Sequence, residues 1–83
     1  MKILVTKSDI KAGKRFDATS CPVAIAIEKR FLGKSVKVGS FSIKVINEEK
    51  LLIHIFETTD EIRDFMCKFD IGDKVEPFEF RLA

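Results

Sequence analysis

The stretch Asp17-Ala-Thr-Ser-Cys21-Pro22-Val23-Ala24 separates a long basic loop from the first predicted helix. Pro22 suits the first turn of a helix, because its missing N–H has no partner there, and Ser20 or Cys21 precedes it as the cap. A thiol at a helix N-terminus meets a partial positive charge that favours the thiolate. Cys21 is therefore the candidate for a catalytic or redox thiol, and the alternative interpretation is a small, half-buried helix cap.

Six main secondary-structure elements are predicted from hydrophobic periodicity and from turn residues. The predicted order is a strand at 1–6, a helix at 22–32, a strand at 36–45, a strand at 51–56, a helix that begins after Thr58, and a strand at 75–82. Residues 8–13 are compatible with a short helical turn that Gly13 closes. The second main helix is expected to begin with a capping box formed by Thr58 and Glu61.

The second strand contains a break in its alternation at Gly39-Ser40, where the apolar positions change from even to odd. A β-bulge would restore a common inward face, and the alternative is two short strands within residues 35–46. In the third strand, odd positions are expected to face the core, which sends Leu52, His54 and Phe56 to the outer face. The predicted core is formed by Ile3, Val5, Val23, Ile27, Phe31, Phe41, Ile43, Val45, Ile53, Ile55, Ile62, Phe65, Met66, Phe69, Phe78 and Phe80.

The order β-α-β-β-α-β predicts an α+β fold built as a two-layer sandwich. In this arrangement four strands form one antiparallel sheet, and both helices cover one face of it, as in a ferredoxin-like fold. Residues 1–83 then make a single domain, since eighty-three residues support one core. The opposite face of the sheet is expected to be open to solvent.

Composition narrows the class of protein. Hydrophobic residues make up 46% of the chain, which is typical of a globular domain, and no apolar run approaches the roughly 18 residues of a membrane span. Ile3-Leu-Val5 is too short for a secretory signal, so we expect a cytoplasmic protein without a membrane partner and with Cys21 and Cys67 as free thiols. Two cysteines and one histidine, His54, are too few for a zinc site, and no sequence motif indicates a cofactor.

Two candidate binding surfaces follow from the charge and hydrophobicity patterns. Residues 1–44 carry ten Lys/Arg and three Asp/Glu, a net +7, whereas residues 45–83 carry five and ten, a net −5. The first surface suits phosphate groups or an acidic protein. It is called the loop–helix surface and comprises Lys7, Lys11, Lys14, Arg15, Lys29 and Arg30. The second is a patch on the outer sheet face with an apolar centre, typical of protein interfaces. It comprises Leu4, Leu52, His54 and Phe56.

Two motifs occur together in this chain. The first is Asp17-x-x-x-Cys21-Pro22-Val23-Ala24, and the second is Phe69-Asp70-x-Gly72-x-x-Val75-x-Pro77-Phe78-x-Phe80. With them the chain resembles a set of small uncharacterised proteins encoded by bacteriophages and prophages, over the first helix and the last third of its length. The resemblance implies a bacterial host cell as the setting and binding as the mode of action, and it implies no catalytic residues.

Three functions are compatible with these patterns. The leading hypothesis is a non-enzymatic binding protein, expected to form a homodimer, that engages a host protein or an anionic ligand through the loop–helix surface or the outer sheet face. The second is a nucleic-acid-binding or transcription-modulating module that uses the basic loop and the first helix. The third is a thiol-dependent enzyme or redox sensor at Cys21.

Overall fold

Three helices and five strands form the fold in the computed structural model, which describes residues 1–82. The helices are α1 (Lys7–Ala12), α2 (Pro22–Glu28) and α3 (Asp60–Asp70). The strands are β1 (Lys2–Val5), β2 (Ser35–Val38), β3 (Ser42–Ile46), β4 (Leu52–Glu57) and β5 (Phe78–Arg81). The α+β class is confirmed, whereas the predicted arrangement of the elements is wrong.

The strands form two separate sheets instead of one four-stranded ferredoxin-like sheet with two helices on one face. Antiparallel pairing of β1 with β5 gives a two-stranded sheet, and β2, β3 and β4 form a three-stranded antiparallel meander. The helix α2 packs against both β1 and β2. At the end of this helix, the Arg30 guanidinium donates a hydrogen bond to the Lys2 carbonyl at 3.2 Å. The helix α2 therefore connects the two sheets, whereas the prediction requires all the strands to pair in one sheet.

Residues 35–46 form two strands, which resolves the alternative that the sequence leaves open. β2 and β3 pair antiparallel, and the Gly39 amide donates to the Ser42 carbonyl at 2.8 Å. The break in alternation is therefore a chain reversal and not a bulge within one strand. Phe41 lies in this turn and is 82% exposed, so its predicted place in the core is wrong.

One hydrophobic cluster within residues 1–82 joins both sheets to α2 and α3. Ile53 and Ile55 are exposed, so their predicted burial is wrong. Phe31, Met66 and Phe78 are partly buried against the cluster. The other predicted core positions are confirmed as buried: Ile3, Val5, Val23, Ile27, Ile43, Val45, Ile62, Phe65, Phe69 and Phe80.

The N-cap of α3 lies one residue later than predicted. The Thr59 hydroxyl accepts a hydrogen bond from the Ile62 amide, so Thr59 is the N-cap and the predicted capping box at Thr58 and Glu61 is wrong. Thr58 is buried, and its hydroxyl donates to the Gly39 carbonyl at 2.8 Å. The Thr58 hydroxyl makes this bond instead of capping α3, because a buried polar group without a partner costs about 1–3 kcal/mol.

The helix α1 confirms the predicted short helical turn and extends it to six residues. A capping box forms at its start: the Asp9 amide donates to the Thr6 hydroxyl, and the Thr6 amide donates to the Asp9 carboxylate. Asp9 is buried, and the Lys29 ammonium at the end of α2 pairs with its carboxylate at 2.6 Å. A Cβ at Gly13 would lie 2.5 Å from the Pro22 ring, so the two helices meet at a point where only glycine fits.

We expect Asp9→Asn to lower the free energy of unfolding by about 1–2 kcal/mol at neutral pH, because it weakens the cap and the charged hydrogen bond. Burial by itself raises the pKa of Asp9, but hydrogen bonds from Lys29 and Thr6 outweigh burial and hold the pKa below its ordinary value of 3.8. The stabilisation is therefore present above pH 3.8 and is lost as the pH falls through the lower pKa of the folded state.

Chemical denaturation of both proteins at neutral pH and well below pH 3.8 measures this effect. The difference between the wild type and Asp9→Asn should be large at neutral pH and should shrink in acid. Lys7→Gln, an exposed substitution on the same helix, is the control and should leave stability unchanged. A difference of the same size at both pH values would show that the carboxylate charge does not contribute.

Candidate functional site

The strand β4 lies at an edge of the three-stranded sheet, and within residues 1–82 it pairs with β3 alone. Immediately after β4, the Thr58 amide donates to the Phe41 carbonyl at 3.1 Å. Antiparallel strands alternate hydrogen-bonded with non-hydrogen-bonded pairs, so the main-chain groups of the preceding even-numbered residues point toward β3. The N–H and C=O groups of Ile55 and Glu57 therefore point away from β3, at the outer edge of the sheet.

Most side chains along this edge are apolar and exposed. The segment Leu51–Phe56, called the β4 edge, contains no Lys, Arg, Asp, Glu or Pro. Leu51, Leu52, Ile53 and Ile55 are 58%, 54%, 39% and 60% exposed. Natural sheets protect their edges with charged residues, proline or covering segments, because an exposed edge invites pairing with another strand. The β4 edge lacks the residue types that commonly prevent such pairing.

The two faces of β4 are the reverse of the prediction. His54 lies opposite Val45 and Phe56 lies opposite Ile43, and both of these partners are fully buried. Directly opposite residues share a face of the sheet, so His54 and Phe56 lie on the core side, where Phe56 is half-buried and His54 remains exposed. There the Phe31 ring is 5.2 Å from the ring of His54 and 6.3 Å from that of Phe56. Apolar residues occupy both even and odd positions of β4, so they do not show which face is buried, and β3 decides the phase.

The predicted patch on the outer sheet face is therefore not assembled as expected. Leu4 is exposed on β1, in the two-stranded sheet, whereas Leu52, His54 and Phe56 belong to the three-stranded sheet. Phe56 is partly buried against the core. Leu52, His54 and Phe56 of the predicted patch lie on the β4 edge, whose most exposed apolar side chain, Ile55, was predicted to face the core.

The six basic residues of the loop–helix surface are exposed, as predicted: Lys7, Lys11, Lys14, Arg15, Lys29 and Arg30. Lys29 pairs with the Asp9 carboxylate and Arg30 donates to the Lys2 carbonyl, so both have structural contacts. Arg15 lies beside the C-terminal end of α3, where its guanidinium would be 3.4 Å from a Cβ at Gly72. The loop–helix surface thus spans α1, the end of α2 and the end of α3.

Cys21 is fully buried at the start of α2, where its Sγ accepts a hydrogen bond from the Ala24 amide at 3.4 Å. Burial raises the pKa of the Cys21 thiol above its ordinary value, and the Asp70 carboxylate acts in the same direction. Hydrogen bonds from main-chain amides lower this pKa but do not offset burial. The interpretation of Cys21 as a helix cap is confirmed, and a substrate has no access to its sulfur.

Cys67 is exposed on α3 and lines an open cleft of about 340 Å³ between this helix and the β2–β3 turn. Arg63 also lines the cleft, and its guanidinium donates to the carbonyls of Ser40 at 2.9 Å and Thr58 at 2.8 Å and pairs with Asp60. These contacts hold the turn against the helix. Arg63 therefore has a structural role in the cleft, and Cys67 provides an accessible thiol there.

No family model, curated protein or solved structure matches this chain. The helices described in residues 1–82 are each too short or too polar to cross a membrane. In the same part of the chain, no group of three or more His, Cys, Asp or Glu side chains could hold a metal ion. We therefore infer function from the chemistry of the β4 edge.

Periodicity alone misses Ile53 and Ile55 as surface residues. A run of apolar residues is typical of a strand buried on both faces, and five of the six residues of Leu51–Phe56 are apolar. The feature of the sequence that could have identified them is the small number of helices that are available to cover the sheet. A short chain with two main predicted helices cannot cover both faces of its sheet, so one apolar row of this strand had to remain exposed.

We expect iodoacetamide to modify Cys67 in the folded protein, whereas Cys21 should react only after denaturation, because burial and the raised pKa of its thiol suppress the thiolate. Mass spectrometry of proteolytic peptides measures the modification at each position. Cys67→Ser is the matched variant and should leave the native protein unmodified. Rapid alkylation of Cys21 in native Cys67→Ser protein would restore the thiol-enzyme hypothesis.

Proposed function

We propose that this protein is a non-enzymatic binding protein that pairs the β4 edge with an extended strand of a protein partner. The observation that carries the proposal is the presence of outward main-chain N–H and C=O groups and exposed apolar side chains on the same strand. In this mode of recognition, main-chain hydrogen bonds supply affinity and alternate side chains supply specificity.

The surroundings of β4 support apolar contact with an added strand on both faces of the sheet. On the core side, the rings of His54 and Phe56 stack with their centroids 5.8 Å apart, and Phe31 packs against both. On the outer face, Ile55 lies opposite Lys44 of β3 and is exposed. An added strand would therefore cover aromatic rings with one row of its side chains and Ile55 with the other.

A protein partner fits this surface better than a nucleic acid does. Phosphate contacts require exposed cations, whereas the β4 edge carries no formal charge. On the loop–helix surface, Lys29 and Arg30 already contact Asp9 and a main-chain carbonyl. The resemblance to small phage-encoded proteins supports a bacterial cell as the setting, in which proteins of this size act by binding.

A synthetic peptide with the sequence of residues 50–58 tests the proposal, because it supplies a strand that can pair with β4. We expect a fluorescein-labelled peptide to bind the protein in anisotropy titrations. Ile55→Lys should weaken binding at least about tenfold, or about 1.4 kcal/mol, since a charged side chain on an edge opposes pairing. Leu4→Lys is the matched control, because Leu4 is an apolar strand residue that is 55% exposed in the other sheet.

A second control isolates the main-chain hydrogen bonds. The same peptide with every main-chain amide from 52 to 57 N-methylated keeps its side chains but has no N–H to donate at either edge, so its binding should be lost. Failure of the unmodified peptide to bind monomeric protein would contradict strand addition. Equal binding of the methylated peptide would show that apolar contact alone accounts for the association.

A further inference from the structure

We infer that the strand occupying the β4 edge is β4 of a second copy of this chain, so that two three-stranded sheets form one continuous six-stranded sheet. The inference rests on the proposed function, because it names the partner of the same edge. An isologous two-fold interface uses the same surface on both copies. A two-fold axis perpendicular to the sheet pairs a strand with its own copy in antiparallel orientation.

The symmetry restricts the register of this pairing. The axis keeps the two faces of the sheet aligned, and side chains alternate between faces, so the pairing is centred on a residue and not between two residues. The regular part of β4 is His54–Glu57, because the register with β3 shifts after Val45 and leaves Ile53 without an opposite residue. Ile55 lies next to the centre of this segment and directs its N–H and C=O outward. We therefore place the axis beside Ile55.

In this register, the side chains of the β4 edge in one copy are complementary to those in the other copy. Ile55 of each copy lies opposite Ile55 of the other on the outer face. On the core side, His54 of each copy lies opposite Phe56 of the other, and this pair occurs twice. Aromatic and β-branched residues directly opposite one another stabilise antiparallel pairs. The two rings are already stacked within one chain, with an interplanar angle of 13°, so the paired copies would extend the stack across the axis.

The extent of β4 and the side chains that it carries favour this register over others. Centring on Ile53 or on Phe56 would pair a shorter part of β4, because the strand spans Leu52–Glu57. Centring on His54 would place two imidazoles against each other on the axis. With Ile55 at the centre, Glu57 lies opposite the uncharged Ile53. The register centred on Ile55 therefore pairs most of β4, separates Glu57 from its own copy and satisfies the outward main-chain groups of Ile55.

Sedimentation equilibrium tests the dimer with the full chain. We expect the wild type to form dimers and Ile55→Lys to raise the dimer dissociation constant at least about 100-fold, because the substitution occurs twice at the axis. Leu4→Lys should leave the dissociation constant unchanged. Circular dichroism should show that Ile55→Lys remains folded, since the substituted side chain is exposed in the single chain.

Disulfide formation tests the register. In a Cys67→Ser background, which leaves only the buried Cys21, Ile55→Cys should form an intermolecular disulfide under mild oxidation. Glu57→Cys is the control on the same strand, because position 57 lies four residues away from its own copy in this register. It should remain monomeric on a non-reducing gel. Cross-linking of Glu57→Cys as readily as Ile55→Cys would overturn the inference.

The outcomes separate this inference from the proposed function. A monomeric wild type that binds the 50–58 peptide would overturn the dimer and leave strand addition in place. A monomeric wild type that does not bind the peptide would overturn both. A dimer that Ile55→Lys does not weaken would show that self-association uses another surface, and it would also overturn the inference.

Discussion

Burial of α2 is the constraint on which the rest of the structure depends. Five of its seven residues are buried, and it packs against β1, β2 and α1. A helix of this length is not stable in water by itself, so tertiary contacts supply its stability. Cys21 caps its start from within the core, and Lys29 at its end pairs with Asp9 of α1. The two ends of the helix are therefore fixed by contacts that also join the helix to its neighbours.

The position of α2 explains why β4 is exposed. Since α2 contacts both sheets, the hydrophobic residues of β1 and β2 are buried without a continuous sheet. The meander has the order β2-β3-β4, so β4 lies two strands away from the strand that α2 contacts. The strand β4, in which most residues are apolar, therefore lies at a position where other elements bury few of its residues. Its position in the sheet, together with its composition, is the basis of the proposed strand pairing.

Two buried titratable groups show how desolvation competes with local partners. At Cys21, the start of a helix favours the thiolate, but burial outweighs the main-chain amides and raises the pKa of the thiol. At Asp9, burial opposes the carboxylate as well, but Lys29 and Thr6 hydrogen-bond to the charged form and lower the pKa. The difference is the cationic partner. A helix terminus alone does not keep a buried group ionised in this protein.

The sequence by itself determined the local elements. The start of α2 at Cys21 and Pro22, the apolar stripe of α3 and the burial of Ile3 and Val5 follow from residues within a few positions of each other. Such features depend on local periodicity and on capping, which neighbouring residues control. Small shifts, such as the cap of α3 at Thr59 instead of the residue before it, come from long-range bonds.

Only the tertiary structure decided how the strands pair and which face of β4 is covered. The break at Gly39-Ser40 is compatible with a bulge or with a turn, and β2 and β3 pair across it because Val36 and Val38 become buried beside α2. Apolar residues occupy both even and odd positions of β4, so its sequence has no alternation that could fix its phase. The phase of β4 comes from Ile43 and Val45 of β3, since a residue shares a face with the one directly opposite it.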